Sequence, residues 1–132
     1  MTSITTALEE AAWVHEHLEQ YDRQQRFDAA ASLAQWGIFS LRQIGAIVDL
    51  SHTTVVKVAT GKTDRTGGRF SPECLPLLAD MRARHARGEE IAPAEVEELI
   101  DAGGGTSLGF AARLGGIPQS LLRRRYKQAK EG

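Results

Sequence analysis

Cys74 is the only cysteine in 132 residues, so no internal disulfide can form, and none of the four histidines has a cysteine at zinc-ligand spacing. Neither a crosslink, a structural metal nor a cofactor is expected. No apolar run approaches the roughly 18–20 residues that a membrane span needs. The first residues have neither the basic nor the apolar region of a secretory leader, so the expected compartment is the cytoplasm, with no membrane partner. Sustained alternation of β-branched residues is also missing, which excludes a sheet and leaves an all-α class.

Excess charge of one sign is absent as well, the formal net charge being −1. That figure argues against a polyanionic partner only until the distribution is read. Residues 1–26, 27–88, 89–101 and 102–132 carry net charges of −3, +3, −6 and +5. Salt at physiological strength screens beyond about 8 Å, so a ligand meets the local patch rather than the total. Two basic blocks flanking an acidic one can still bind phosphate.

What is present is a series of helix signals. Thr6-Ala7-Leu8-Glu9 has a capping-box pattern, and Leu8, Ala11, Val14, Leu18 and Tyr21 follow at helical spacing, predicting an amphipathic helix of about 18 residues. A second helix is expected over residues 27–36, stopped by Gly37; residues 22–26 fit either a bend or a continuation. Trp13 and Trp36 are expected in the core, and His15, His17 and His85 toward solvent. Pro72 and Pro93 open further helices, ended by Gly88 and by Gly103-Gly104-Gly105, and a last helix begins at Pro118.

Between them lies the pattern of a helix-turn-helix, at residues 40–60. Ser40-Leu41-Arg42-Gln43 is a capping box, Ile44 and Val48 face the core, and Gly45 is small where a second helix must approach. Leu50 plugs the turn, Ser51 caps the second helix, and Val55 and Val58 pack it. Its outer side presents His52, Thr53, Val56 and Lys57, with Ser51 and Thr54 at its start. Short polar groups, one methyl-bearing residue and one base suit a surface laid in the major groove. A plain helical hairpin would mix Glu and Lys on its outer face, whereas residues 51–60 contain no acid. The glycine-rich loop at 61–69 adds Lys62, Arg65 and Arg69, placed to touch phosphates or the minor groove, and Arg82, Arg84 and Arg87 come after it.

Residues 106–126 resemble a second copy of this pattern. Leu108, Phe110, Ala111 and Leu114 build its first helix, and Ile117, Leu121 and Leu122 hold its second, across a turn about one residue longer. Gln119 and Ser120 share faces with Arg123 and Arg124. Arg123 to Arg125 span about 200° of a helix, so some of them must meet phosphate. The segment reads equally as a basic helix that adds only nonspecific affinity. The expected domains are thus 1–88, containing the helix-turn-helix and basic loop, and 89–132, a small helix-turn-helix-like domain.

Enzymatic readings find little support. Gly103-Gly104-Gly105-Thr106-Ser107 lacks the lysine of a phosphate loop and a preceding strand, and Glu95, Glu97 and Glu98 suit the start of a helix through its dipole. The run from Ile44 to Lys57, followed by Gly-Lys, Gly-Gly-Arg-Phe and Ser-Pro-Glu, resembles helix-turn-helix proteins of temperate actinobacteriophages, including immunity repressors. The resemblance implies a sequence-specific repressor of transcription that binds double-stranded DNA in the host cytoplasm; a monomer or dimer fits such regulation, and no small-molecule ligand is evident in the sequence. The alternative is a DNA-packaging protein of the small-terminase kind.

Overall fold

The computed structural model describes residues 4–59 and 69–131, and all their regular structure is helical, with no strand. None of the described helices is long and apolar enough to cross a membrane. The chain divides into two compact units, Met1–Gly67 and Gly68–Gly132.

The first unit contains α1 (Ile4–Glu16), a single 3-10 turn at Leu18–Gln20, α2 (Arg23–Gln35), α3 (Leu41–Val48) and α4 (His52–Val58). Helix α1 is shorter than its apolar spacing predicts, and Thr6 lies inside it rather than at a cap. Residues 22–26 resolve as a bend followed by a fresh start. The Asp22 side chain accepts from the Gln25 backbone N–H, and the Gln25 side chain accepts in return from that of Asp22. This reciprocal cap satisfies two donors that a helix start leaves open. Ala7, Leu8, Ala11 and Val14 bury one face of α1. Trp13 follows Leu8 by five residues, about 140° around the helix, and is 59% exposed, which overturns its expected place in the core. Trp36 is half-buried. His15 is also half-buried, its Nδ1 3.1 Å from the Ile47 carbonyl, so it serves the end of α3 rather than facing solvent.

Helices α3 and α4 follow their sequence signals closely. Ser40 and Gln43 form the expected capping box, and the Ser51 side chain accepts from the Thr54 N–H. The chain turns through Asp49, at φ 55°, a left-handed conformation that aspartate tolerates better than most residues. Helix α4 ends at Val58, with Ala59 extended; its expected extension to Thr60 runs out of the described residues. Thr53, Thr54, Val55, Val56 and Val58 are all β-branched, and such side chains propagate a helix poorly, which accounts for its shortness. Gly45 is the contact point of the pair: a Cβ built there would lie 2.8 Å from the Leu50 carbonyl oxygen and 3.5 Å from Val55 Cγ2. Gly45→Ala is therefore expected to destabilise the first unit by about 1–3 kcal/mol, because backbone rather than a mobile side chain must yield. A urea midpoint equal to that of the parent protein would contradict this.

The second unit contains a 3-10 turn at Pro72–Cys74, α5 (Leu75–Ala86), α6 (Pro93–Asp101), α7 (Leu108–Gly115) and α8 (Gln119–Glu131). A division at residue 88 would place α5 with the first unit; it belongs to the second. Leu75, Leu78 and Met81 are fully buried, Leu78 Cδ1 lies 3.2 Å from a Cβ built on Gly115, and Arg82 Nη1 donates to the Leu114 carbonyl at 2.7 Å. Burial pushes the Cys74 thiol upward, so it stays protonated as a small core side chain.

Candidate nucleic-acid interface

The two units contain the same local structure at matching positions. Helices α3 and α7 have eight residues each, and each starts at a serine whose side chain accepts from the N–H three residues on, Ser40 from Gln43 and Ser107 from Phe110. Each ends in a left-handed residue, Asp49 at φ 55°, ψ 54° and Gly116 at φ 63°, ψ 27°. The cap N–H and the one after it then converge on one carbonyl, that of Gly45 in the first unit and of Ala112 in the second. Three residues separate the helices in both cases, 49–51 and 116–118. The turn expected to be one residue longer in the second copy is the same length, because Gly115 is still helical. Pro118 stands in the cap position, its carbonyl accepting from Leu121 and Leu122, and not in the first turn. Ser40 and Ser107, Asp49 and Gly116, and His52 and Gln119 are each 67 residues apart.

This register equates the outward positions of α4 and α8. His52 matches Gln119, Thr53 matches Ser120, Val56 matches Arg123 and Lys57 matches Arg124, and all eight are exposed. The inward positions match too, Val55 and Leu122 both being fully buried. Ser51 and Thr54 differ from the rest of the expected set. Their hydroxyls bond to each other at 2.9 Å, Ser51 also caps the backbone, and Thr54 is half-buried, so they build the start of α4. Val56 is 50% exposed. Asp49 is the acid nearest to α4 in sequence, and Arg26 Nη1 lies 3.5 Å from its carboxylate.

Lys62 and Arg65 lie outside the described residues. Arg69 is exposed, its guanidinium against Gly105, where a built Cβ would lie 3.2 Å from Nε. The three arginines of α5 and its end are not free to serve a ligand as the sequence suggests. Arg82 caps α7 through the Leu114 carbonyl, Arg84 binds Glu95 at 3.0 Å and Asp80 at 3.3 Å, and Arg87 binds Glu89 at 2.6 Å. Arg123 and Arg124, by contrast, have neither an ion pair nor a hydrogen bond to a described side chain. Arg125 is half-buried with Nη1 on Gln128 and its Nε without a partner. Among the described residues no cluster of three or more histidine, cysteine or acidic side chains is placed to hold a metal ion.

The acidic helix α6 is part of the second unit's packing. It packs along α8, where Lys130 binds Asp101 at 2.8 Å and Glu97 at 3.4 Å and the Tyr126 hydroxyl donates to Asp101 at 3.0 Å. Hydrogen bonds from Lys130 and Tyr126 hold the Asp101 carboxyl below its ordinary range, and one from Arg84 does the same for Glu95. A lowered folded-state pKa contributes stability that is present above the ordinary carboxylate range and lost as pH falls through it and below, because the unfolded chain takes up protons first. The second unit is therefore expected to weaken progressively below about pH 5, and Asp101→Asn should flatten that dependence. Urea midpoints measured against pH check this; identical slopes in the two proteins would remove Asp101 from the effect.

Compared with known proteins, the chain matches no protein-family model, no curated protein and no solved structure.

Proposed function

We propose that this chain is a sequence-specific double-stranded DNA-binding protein, a transcriptional repressor rather than an enzyme, and that α4 and α8 are its two recognition helices. One observation carries the reading: the same capped helix, three-residue turn and second helix occur twice in register, and in both copies the outward positions carry no acid and, Val56 apart, are polar or basic. A helix offered to a major groove needs short groups that reach base edges and cations that meet phosphate. His52, Thr53, Gln119 and Ser120 supply the first kind. Lys57, Arg123 and Arg124 supply the second, and Val56 provides an apolar surface of the kind that meets a thymine methyl.

The resemblance to immunity repressors of temperate actinobacteriophages extends the proposal to silencing of promoters in the host cytoplasm. Arg69 adds phosphate contact, and Lys62 and Arg65 are proposed to do the same. Two recognition helices on one chain allow a monomer to occupy an asymmetric site, where one helix per chain favours a dimer on a near-palindrome.

A pair of substitutions tests the division of labour. Thr53→Ala should weaken the preferred site by about 1–3 kcal/mol and leave nonspecific duplex nearly unchanged. Lys57→Ala should weaken both and reduce the slope of log K against log salt by about 0.9. Equal losses on both DNAs from Thr53→Ala would remove α4 from base reading.

A further inference from the structure

The α1 and α2 side of the first unit presents a feature that DNA binding does not use. Trp13, 59% exposed, stacks on His17 with ring centroids 3.8 Å apart. With Tyr21 and Val14 it lines an open groove of about 440 Å³ whose polar lining includes Glu10, Asp28 and Ser32. A smaller cavity of about 290 Å³ shares Glu10 and Ser32 with it and adds Trp36.

The two carboxylates are oriented, but only by neutral donors. Glu10 Oε2 accepts from the Trp36 indole N–H at 2.9 Å and from the Ser32 hydroxyl at 3.2 Å, and Asp28 accepts from Gln24 at 3.0 Å. Among the described residues no cation pairs with either. The nearby arginines of α2 are otherwise engaged, Arg23 over the Phe27 ring and Arg26 with Asp49 and the Leu18 carbonyl.

An aromatic wall beside two uncompensated carboxylates suits a planar cation that stacks on a ring and forks its N–H groups onto carboxylate oxygens. Guanidinium has that shape, whereas ammonium is a compact, strongly hydrated charge. A phosphate backbone would be repelled here, and a second copy offering the same face would set carboxylate against carboxylate. The groove is open, which suits a side chain carried by another protein better than an enclosed small molecule.

We propose that this groove docks a partner-protein segment by taking one of its arginine side chains between the aromatic wall of Trp13 and Tyr21 and the carboxylates of Glu10 and Asp28. The site shares no residue with α4 or α8, so the proposal stands independently of the DNA reading.

The test uses the full chain and the peptide acetyl-leucyl-arginyl-leucine amide, with the citrulline peptide as its neutral isostere. The two tryptophans give two indole N–H resonances, and that of Trp13 should shift along a saturating curve as the arginine peptide is added. The citrulline peptide should bind about tenfold more weakly or worse, since a charge-assisted pair is replaced by a neutral one. Asp28→Asn, at an exposed position, should weaken the arginine peptide similarly without changing the melting temperature. Glu10→Gln, which keeps an acceptor for Trp36, should do the same. Equal binding of the two peptides, undiminished binding by both variants, or no shift at Trp13 would overturn the proposal. So would concentration-dependent self-association abolished by Trp13→Ala, which would assign the groove to a second copy.

Discussion

Replacing Arg123 and Arg124 together by alanine is expected to reduce affinity for the preferred duplex by about 10²- to 10⁴-fold, the factor by which two tethered modules exceed one. Both side chains are exposed on α8 and engage no described acid, so their removal leaves the interior of the second unit untouched. The helix itself should persist, because Leu122 stays buried and the Lys130 and Tyr126 contacts to Asp101 lie further along. The loss should come with a shorter protected footprint and a shallower salt dependence, by about 0.9 per phosphate contact removed. Electrophoretic mobility shifts at several salt concentrations, with footprinting, read all three quantities. An unchanged footprint with unchanged affinity would make α8 a structural appendage.

Phe110→Ala is expected to destabilise the second unit by about 3–5 kcal/mol, the usual range for deleting a buried aromatic side chain. Phe110 is 1% exposed, its ring centroid lies 4.8 Å from that of Phe70, and the Arg113 guanidinium lies 5.8 Å from its ring. Its place in the first turn of α7 corresponds to Gln43 in α3, so the two copies share a backbone register but fill that position differently. Gln43 is 3% exposed, with its Oε1 in the capping box and its Nε2 without a partner. Chemical denaturation followed by helical circular dichroism measures the loss. A change below about 1 kcal/mol would mean that the site collapses around the missing ring.

Local signals are legible in the sequence and long-range pairing is not. Ser40 with Gln43, and Ser51 with Thr54, act within one helical turn, and Gly45 is dictated by how closely α4 approaches α3, so residue type at fixed spacing is sufficient. The same locality misleads at Thr6, where a capping pattern lies inside α1, while the Asp22–Gln25 box precedes a run too polar to mark it as a helix start. Hydrophobicity alone places Trp13 in the core, whereas its angle from Leu8 puts it outside. Gly115 resembles a helix stop and lengthens the apparent second turn, yet Gly116, at φ 63°, makes the left-handed turn.

Domain limits and free cations depend on contacts between distant residues. Leu78 against Gly115, Arg82 on Leu114 and Arg84 on Glu95 join α5 to α7 and α6 and remove two arginines from any ligand. A truncation at residue 88 would therefore cut through the second unit and strand the apolar face of α5, so substitutions on α8 in the full chain are the cleaner probe. Likewise, the block of net charge +5 gives up part of its field to α6 through Lys130, while Arg123 and Arg124 stay exposed with no described acid against them.

Selection of bound sequences from random duplex DNA by the full chain, repeated with Thr53→Ala and with Arg123→Ala/Arg124→Ala, tests most directly whether α4 and α8 both read DNA. The expected result is one enriched asymmetric site with two blocks of preferred bases, the first relaxed by the α4 variant and the second by the α8 variant. Enrichment of no sequence, or of a single block indifferent to the α8 substitutions, would contradict it.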